Sequence, residues 1–129
     1  MKEYLLYIFN EKDAKASLSP AEHLAFIKEC ERYIEKLKSK GMLKAAQPLL
    51  RQGVVIQKVG SGWKQTDIGT DKKIQVGYYH IYAENTEAAL QIAKENPEFA
   101  YVPSASIEVR QVKTEEAETG FVYPTRENG

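Results

Sequence analysis

The chain has 129 residues, 43% apolar and 28% charged, which is the composition of a globular domain and not of a disordered segment. Lysine plus arginine equals aspartate plus glutamate at 18 each. The positive surplus that meets nucleic-acid phosphates is missing, and direct nucleic-acid binding is not expected.

One cysteine, Cys30, cannot form an internal disulfide. With only His23 and His80 beside it in composition, at unrelated positions, no metal site is expected, and no cofactor motif stands out. The first predicted element is "EYLLYIF", Glu3 to Phe9, a strand by length and by aromatic content. Its faces are Leu5, Tyr7 and Phe9 on one side and Tyr4, Leu6 and Ile8 on the other, so both should be covered. The same apolar run is too short for a signal-peptide core or a bilayer span, which gives the expectation of a cytoplasmic protein with no membrane association. "NEKDAKAS" follows as a polar connection.

"SPAEHLAFIKECERYIEKLKSKG" predicts a long helix. Ser19 caps it, Pro20 suits its first position, and Glu22 completes a capping box. Leu24, Ile27, Ile34 and Leu37 recur at helical spacing, with Cys30 in the middle of the stripe, and Gly41 supplies a left-handed stop. "MLKAAQPLLRQG" reads as a connection into a hairpin, "VVIQKV" returning as "WKQT" through Gly60-Ser61-Gly62. "IQVGYYHIYA" is the next strand, and "ENTEAALQIAKENP" a short helix capped by Asn85 or Thr86. "SIEVRQV", Ser106 to Val112, closes the pattern with Ile107 and Val109 alternating against Glu108 and Arg110. Residues 1–112 therefore read as one domain. Residues 113–129 read as a tail, docked by Phe121, Val122 and Tyr123 or mobile.

Strand, helix, strand hairpin, strand, helix, strand is an α+β order. It predicts a ferredoxin-like βαββαβ-type subunit, an antiparallel sheet with two helices on one face. Right-handed crossovers put the first strand and the 76–83 strand in the sheet centre. Those two strands are apolar on both faces, yet two helices cover only one. Gly77, Tyr79, Ile81 and Ala83, small at the ends, suit the helix side. Tyr78, His80 and Tyr82 then face outward, and aromatic surface on that scale needs a cover. A second copy stacked face to face, a homodimer, is the expected cover.

The ordered set of these segments resembles the YCII-related family, in the branch named for its D-G-P-F motif. "YLLYIF" is similar to its opening strand and "SPAEHLAFIKECERYIEKLKSKGML" to its first helix. "TDIGTDKKIQVGYYHIYAENTEAALQIAKENP" is similar to its central motif, glycine-aromatic strand and second helix, and "IEVRQV" to its closing strand. The resemblance implies a dimeric α/β barrel-type assembly of ferredoxin-like subunits, with a biochemical function mostly unassigned. In some relatives a histidine on the first helix and a nearby aspartate are suggested as a catalytic pair. Some relatives are found beside or fused to sigma factors. Here that helix position is Cys30, and the D-G-P-F stretch reads Asp67-Ile68-Gly69-Thr70. The aspartate is kept and the histidine is not.

Each candidate residue carries two readings. Asp67 is a carboxylate base at a pocket mouth, or a turn residue bonded to local amides. His80 is a proton carrier or ligand donor, or an interface histidine. Tyr78 and Tyr82 are flat walls for an aromatic ligand, or packing. Cys30, between Glu29 and Glu31, reads as a small buried filler rather than a nucleophile. Two function classes follow. One is a dimeric module binding a small apolar or aromatic ligand at Tyr78, His80, Tyr82 and Asp67. The other is a cofactor-free isomerase, lyase or hydrolase using Asp67 and His80 as a catalytic pair.

Overall fold

Alternation decides the first element of the computed structural model, which describes residues 1–11, 14–69 and 71–124. Tyr4, Leu6, Ile8 and Asn10 are buried on one face of β1 (Lys2–Glu11), and Leu5, Tyr7 and Phe9 are half-buried on the other. The helix α1 (Pro20–Ser39) follows. Ser19 Oγ accepts from the Glu22 amide at 3.1 Å, and Glu22 Oε1 accepts from the Ser19 amide at 3.0 Å, the expected capping box. Gly41 ends the helix with φ 68°, a backbone conformation that glycine adopts without strain.

The stretch read from sequence as a connection contains a strand. Leu43–Pro48 forms β2 at the sheet edge and pairs antiparallel with β5 (Lys73–Ala83). Its composition, LKAAQP, is short of β-branched and aromatic residues. Pairing to a strong neighbour, and not its own propensity, makes it a strand. The hairpin β3 (Val54–Val59) and β4 (Gly62–Asp67) is present but belongs to a separate two-stranded sheet. It is an insertion between β2 and β5 and not a member of the main sheet.

After β5 come α2 (Thr86–Lys94), capped by Asn85 Oδ1 on the Ala88 amide at 2.8 Å, the single turn α3 (Glu98–Tyr101), and β6 (Ser106–Gln111). The main sheet runs β2-β5-β1-β6, antiparallel throughout. β1 and β5 are central, in agreement with the crossover reasoning. The architecture is α+β, and its order is consistent with a ferredoxin-like fold once β2 takes the place first given to the hairpin. Among the described residues no helix is long and apolar enough to cross a membrane.

The core sits between the sheet and helices α1 and α2. Tyr4, Leu6, Tyr79 and Ile81 meet Tyr33 and Leu37 of α1 and Ala89 and Ala93 of α2. Gly77, Tyr79, Ile81 and Ala83 are thus the helix side of β5, and Tyr78, His80 and Tyr82 the open side. On α1 the buried stripe differs from expectation. Phe26, Tyr33 and Leu37 are buried, whereas Leu24 and Ile27 are exposed. Phe26, Cys30, Tyr33 and Leu37 recur at 4-3-4 spacing, which is helical too, and the two rings remove more apolar area from water than Leu24 and Ile27 would. The tail, as far as described, turns on itself. Glu115 bridges to Val122, and the Tyr123 amide donates to Thr114 O at 2.9 Å. Lys12 and Asp13 of the polar connection, Thr70 of the Asp67–Thr70 stretch, and 125–129 of the tail lie outside the described residues.

Candidate functional site

The open face of the sheet is built by register. Tyr7 lies opposite Tyr78, Leu5 opposite His80, and Glu3 opposite Tyr82. β2 adds Gln47 opposite Tyr78 and Ala45 opposite His80. Tyr78, His80 and Tyr82 therefore share one half-buried surface with Leu5, Tyr7 and Phe9, as the alternation required. The polar group at its centre was not foreseen. Glu3 Oε1 lies 2.7 Å from His80 Nε2 and 3.2 Å from Lys44 Nζ. All three side chains are about one-fifth exposed. Burial alone would raise the Glu3 carboxyl, but hydrogen bonds from His80 and Lys44 outweigh it and hold the group below the usual carboxylate range.

Asp67 sits elsewhere. It ends β4, opposite Val54, and is exposed. The shallow depression it lines is bounded by Gln52, Gly53, Ile68 and Gly69, without His80. Within one chain the carboxylate at His80 is Glu3, not Asp67. The backbone at Asp67 is fixed by the Ile68 amide donating to Gly53 O at 2.9 Å, which closes the root of the hairpin.

A cavity of about 260 Å³ lies on the opposite side of the sheet, beneath the middle of α1. None of Tyr78, His80 and Tyr82 lines it. Ile8, Phe26, Ile34 and Val76 give apolar walls, and Cys30, Tyr79, Glu98 and Lys15 give polar ones. Glu98 is 3% exposed, turned inward by α3 just after Pro97. Its amide is held by Asn96 Oδ1 at 2.8 Å. Lys15 Nζ lies 2.7 Å from Glu98 Oε1 and 4.9 Å from the centre of the Phe26 ring. At that distance the ammonium forms a close ion pair with the carboxylate and engages Glu98 Oε1.

The charged groups that line this cavity are Lys15, Glu98 and the exposed Glu31. Burial pushes the Cys30 thiol up to about 11, with the Glu98 carboxylate adding to the effect. Burial also raises the Tyr79 phenol, with Cys30 and Glu98 contributing. The cavity therefore presents a neutral thiol and a neutral phenol beside the Lys15–Glu98 ion pair and Glu31. Such a wall can hydrogen-bond a guest, but it holds no activated nucleophile. Gly77 shapes the rim, since a Cβ there would come within 3.0 Å of Gln47 O in β2.

No protein-family model matches the chain, and no curated protein matches it.

Sequence reasoning missed Glu98, Lys15 and Tyr79 as neighbours of Cys30. They come from α3, the 3-10 turn Ala14–Ser17 and β5, and only the packed fold unites them. One signal was available. Cys30 falls in the Phe26–Tyr33–Leu37 stripe, which points at the sheet. Among the described residues no group of three or more His, Cys, Asp and Glu is placed to hold a metal ion.

Proposed function

We propose that this chain is a homodimeric small-molecule-binding module of the YCII-related kind, with its ligand site in the cavity beneath α1. The observation that carries the reading is the cavity itself. It combines apolar walls with one buried carboxylate, Glu98, held in an ion pair with Lys15. Ligand sites typically pair an apolar lining with a few placed polar groups. At about 260 Å³ the space suits a small aromatic or branched aliphatic molecule carrying a hydroxyl or similar donor.

The resemblance adds a second line of support. The helix position where relatives carry histidine is Cys30, and Cys30 lines this cavity. A neutral thiol in that place favours binding over acid–base chemistry. The catalytic alternative, with Asp67 and His80 as a pair, has no meeting point within one chain. The aromatic open face is the proposed dimer interface. Tyr7, Phe9, Tyr78 and Tyr82 would be covered by the same residues of the second copy, in a two-fold stack of the dimeric α/β barrel type. Glu3, His80 and Lys44 satisfy one another, which lowers the cost of burying them there.

Native mass spectrometry of the freshly purified protein tests this. The expected spectrum is a dimer retaining a small guest, and the guest is lost from Ile34→Phe, which fills the cavity. A guest that persists in Ile34→Phe would move the site elsewhere. A monomer without a guest would remove the reading.

A further inference from the structure

Most of the cavity wall comes from α1 and the sheet, but Lys15 reaches it from the short 3-10 turn Ala14–Ser17. No residue of that turn is buried. Among the described residues its hydrogen bonds are local, Ser17 Oγ donating to Ala14 O at 3.0 Å and the Leu18 amide to Lys15 O at 3.1 Å. The Lys15 ammonium ties the turn to the fold, at 2.7 Å from Glu98 Oε1 and 4.9 Å from the centre of the Phe26 ring. That ring is braced edge-on by Tyr101, with 5.5 Å between ring centres. A buried carboxylate and an aromatic face within reach of one nitrogen make a seat for an ammonium. The present occupant is the wet partner, since the Lys15 side chain is 25% exposed against 4% for Glu98. Lys15 also stands alone against two carboxylates, Glu31 and Glu98, so the charges that line the cavity favour a cation.

We propose that Lys15 is a displaceable occupant of this seat, and that the guest of the cavity is a small apolar primary amine whose ammonium takes its place on Glu98 and Phe26. The inference rests on the cavity reading above and deepens it by naming the guest's polar group. Exchanging one ammonium for another keeps Glu98 paired, so the buried carboxylate is never stranded. The released Lys15 returns to water and recovers its rotamer freedom. Its turn has no buried residue to lose when the side chain lets go. The apolar body of the guest then fills space walled by Ile8, Ile34 and Val76, and its removal from water drives the exchange. A neutral guest gains the same apolar burial but shares the carboxylate with Lys15. An anionic guest meets Glu98 and Glu31.

The test is an NMR titration of the full chain at neutral pH with three probes of one shape, 2-phenylethylamine, 2-phenylethanol and phenylacetate. The methyl groups of Ile34 and Val76 report entry, and the amides of Ala14–Ser17 report displacement of Lys15. The amine should bind most tightly and the carboxylate least, with the turn amides moved by the amine alone. An occupant present about nine-tenths of the time masks that share of the sites, so the amine should bind Lys15→Met at least about tenfold more tightly than the unmodified chain. If Lys15→Met is unfolded by itself, the amine should restore its circular dichroism and the alcohol should not. Glu98→Gln should erase the margin of amine over alcohol. If the alcohol enters and the amine binds no more tightly, this inference falls while the cavity reading stands. It falls in the same way if Lys15→Met neither gains affinity for the amine nor is refolded by it. If none of the three probes moves Ile34 or Val76, both fall.

Discussion

Glu3 Oε1 lies 2.7 Å from His80 Nε2, although the strand register pairs Glu3 with Tyr82 and His80 with Leu5. The contact is a diagonal one across β1 and β5, and Lys44 joins it from β2 at 3.2 Å. Three strands are thereby tied by one carboxylate on the face opposite the helices.

Its consequence is a pH dependence with a defined sign. The Glu3 carboxyl is held below its ordinary range in the folded chain. Its contribution is therefore fully present above about pH 4.3 and lost as pH falls through the lowered value. Glu3→Gln should cost on the order of 1 kcal/mol at pH 7 and less at pH 3. Urea unfolding at the two pH values checks this, and an equal loss at both would contradict it.

Lys15→Met should be more damaging than an ordinary surface change. It leaves the Glu98 carboxylate buried without its cation. Loss of a buried partner costs about 3–5 kcal/mol, and the partly wet Lys15 puts the expectation at the lower end, about 3 kcal/mol. Lys15→Met with Glu98→Gln should recover much of it. A double-mutant cycle by thermal melting reads the coupling.

Cys30 should react slowly. With the thiol raised to about 11, the thiolate fraction near pH 7.5 is roughly 100-fold below that of an ordinary cysteine. Iodoacetamide labelling of the native chain should lag the urea-unfolded chain by at least that factor. Equal rates would mean that the thiol is open and activated.

Gly77→Ala should push the edge strand β2 outward, because the new methyl meets the Gln47 carbonyl and Pro48 Cα. Overpacking of this kind costs about 1–3 kcal/mol. Hydrogen exchange should show faster opening of the β2–β5 bonds, with β1–β6 unchanged.

The sequence carried most of this architecture wherever a residue's role is local. Ser19, Glu22, Gly41 and Asn85 act within a turn or two, and their caps are as read. The two-sided strands β1 and β5 also declared themselves, down to which face of β5 the helices take. What failed depends on neighbours. Leu43–Pro48 is a strand because β5 pairs with it, and β3–β4 stays a separate ribbon because β2 already holds the sheet edge. On α1 two apolar stripes compete, and the one bearing Phe26 and Tyr33 takes the core while Leu24 and Ile27 stay exposed. The cavity was least legible. Cys30, Tyr79, Glu98 and Lys15 are far apart in sequence, and no spacing rule links them.

The most direct measurement is a heteronuclear NMR titration of the full chain with 4-ethylphenol, an aromatic body with one donor hydroxyl. The account predicts saturable shifts at the methyl groups of Ile8, Ile34 and Val76 and at the Phe26 ring, weakened by Glu98→Gln, with the dimer intact. Shifts confined to Tyr78, His80 and Tyr82, with Ile34 and Val76 unmoved, would contradict it and return the ligand to the open face of the sheet.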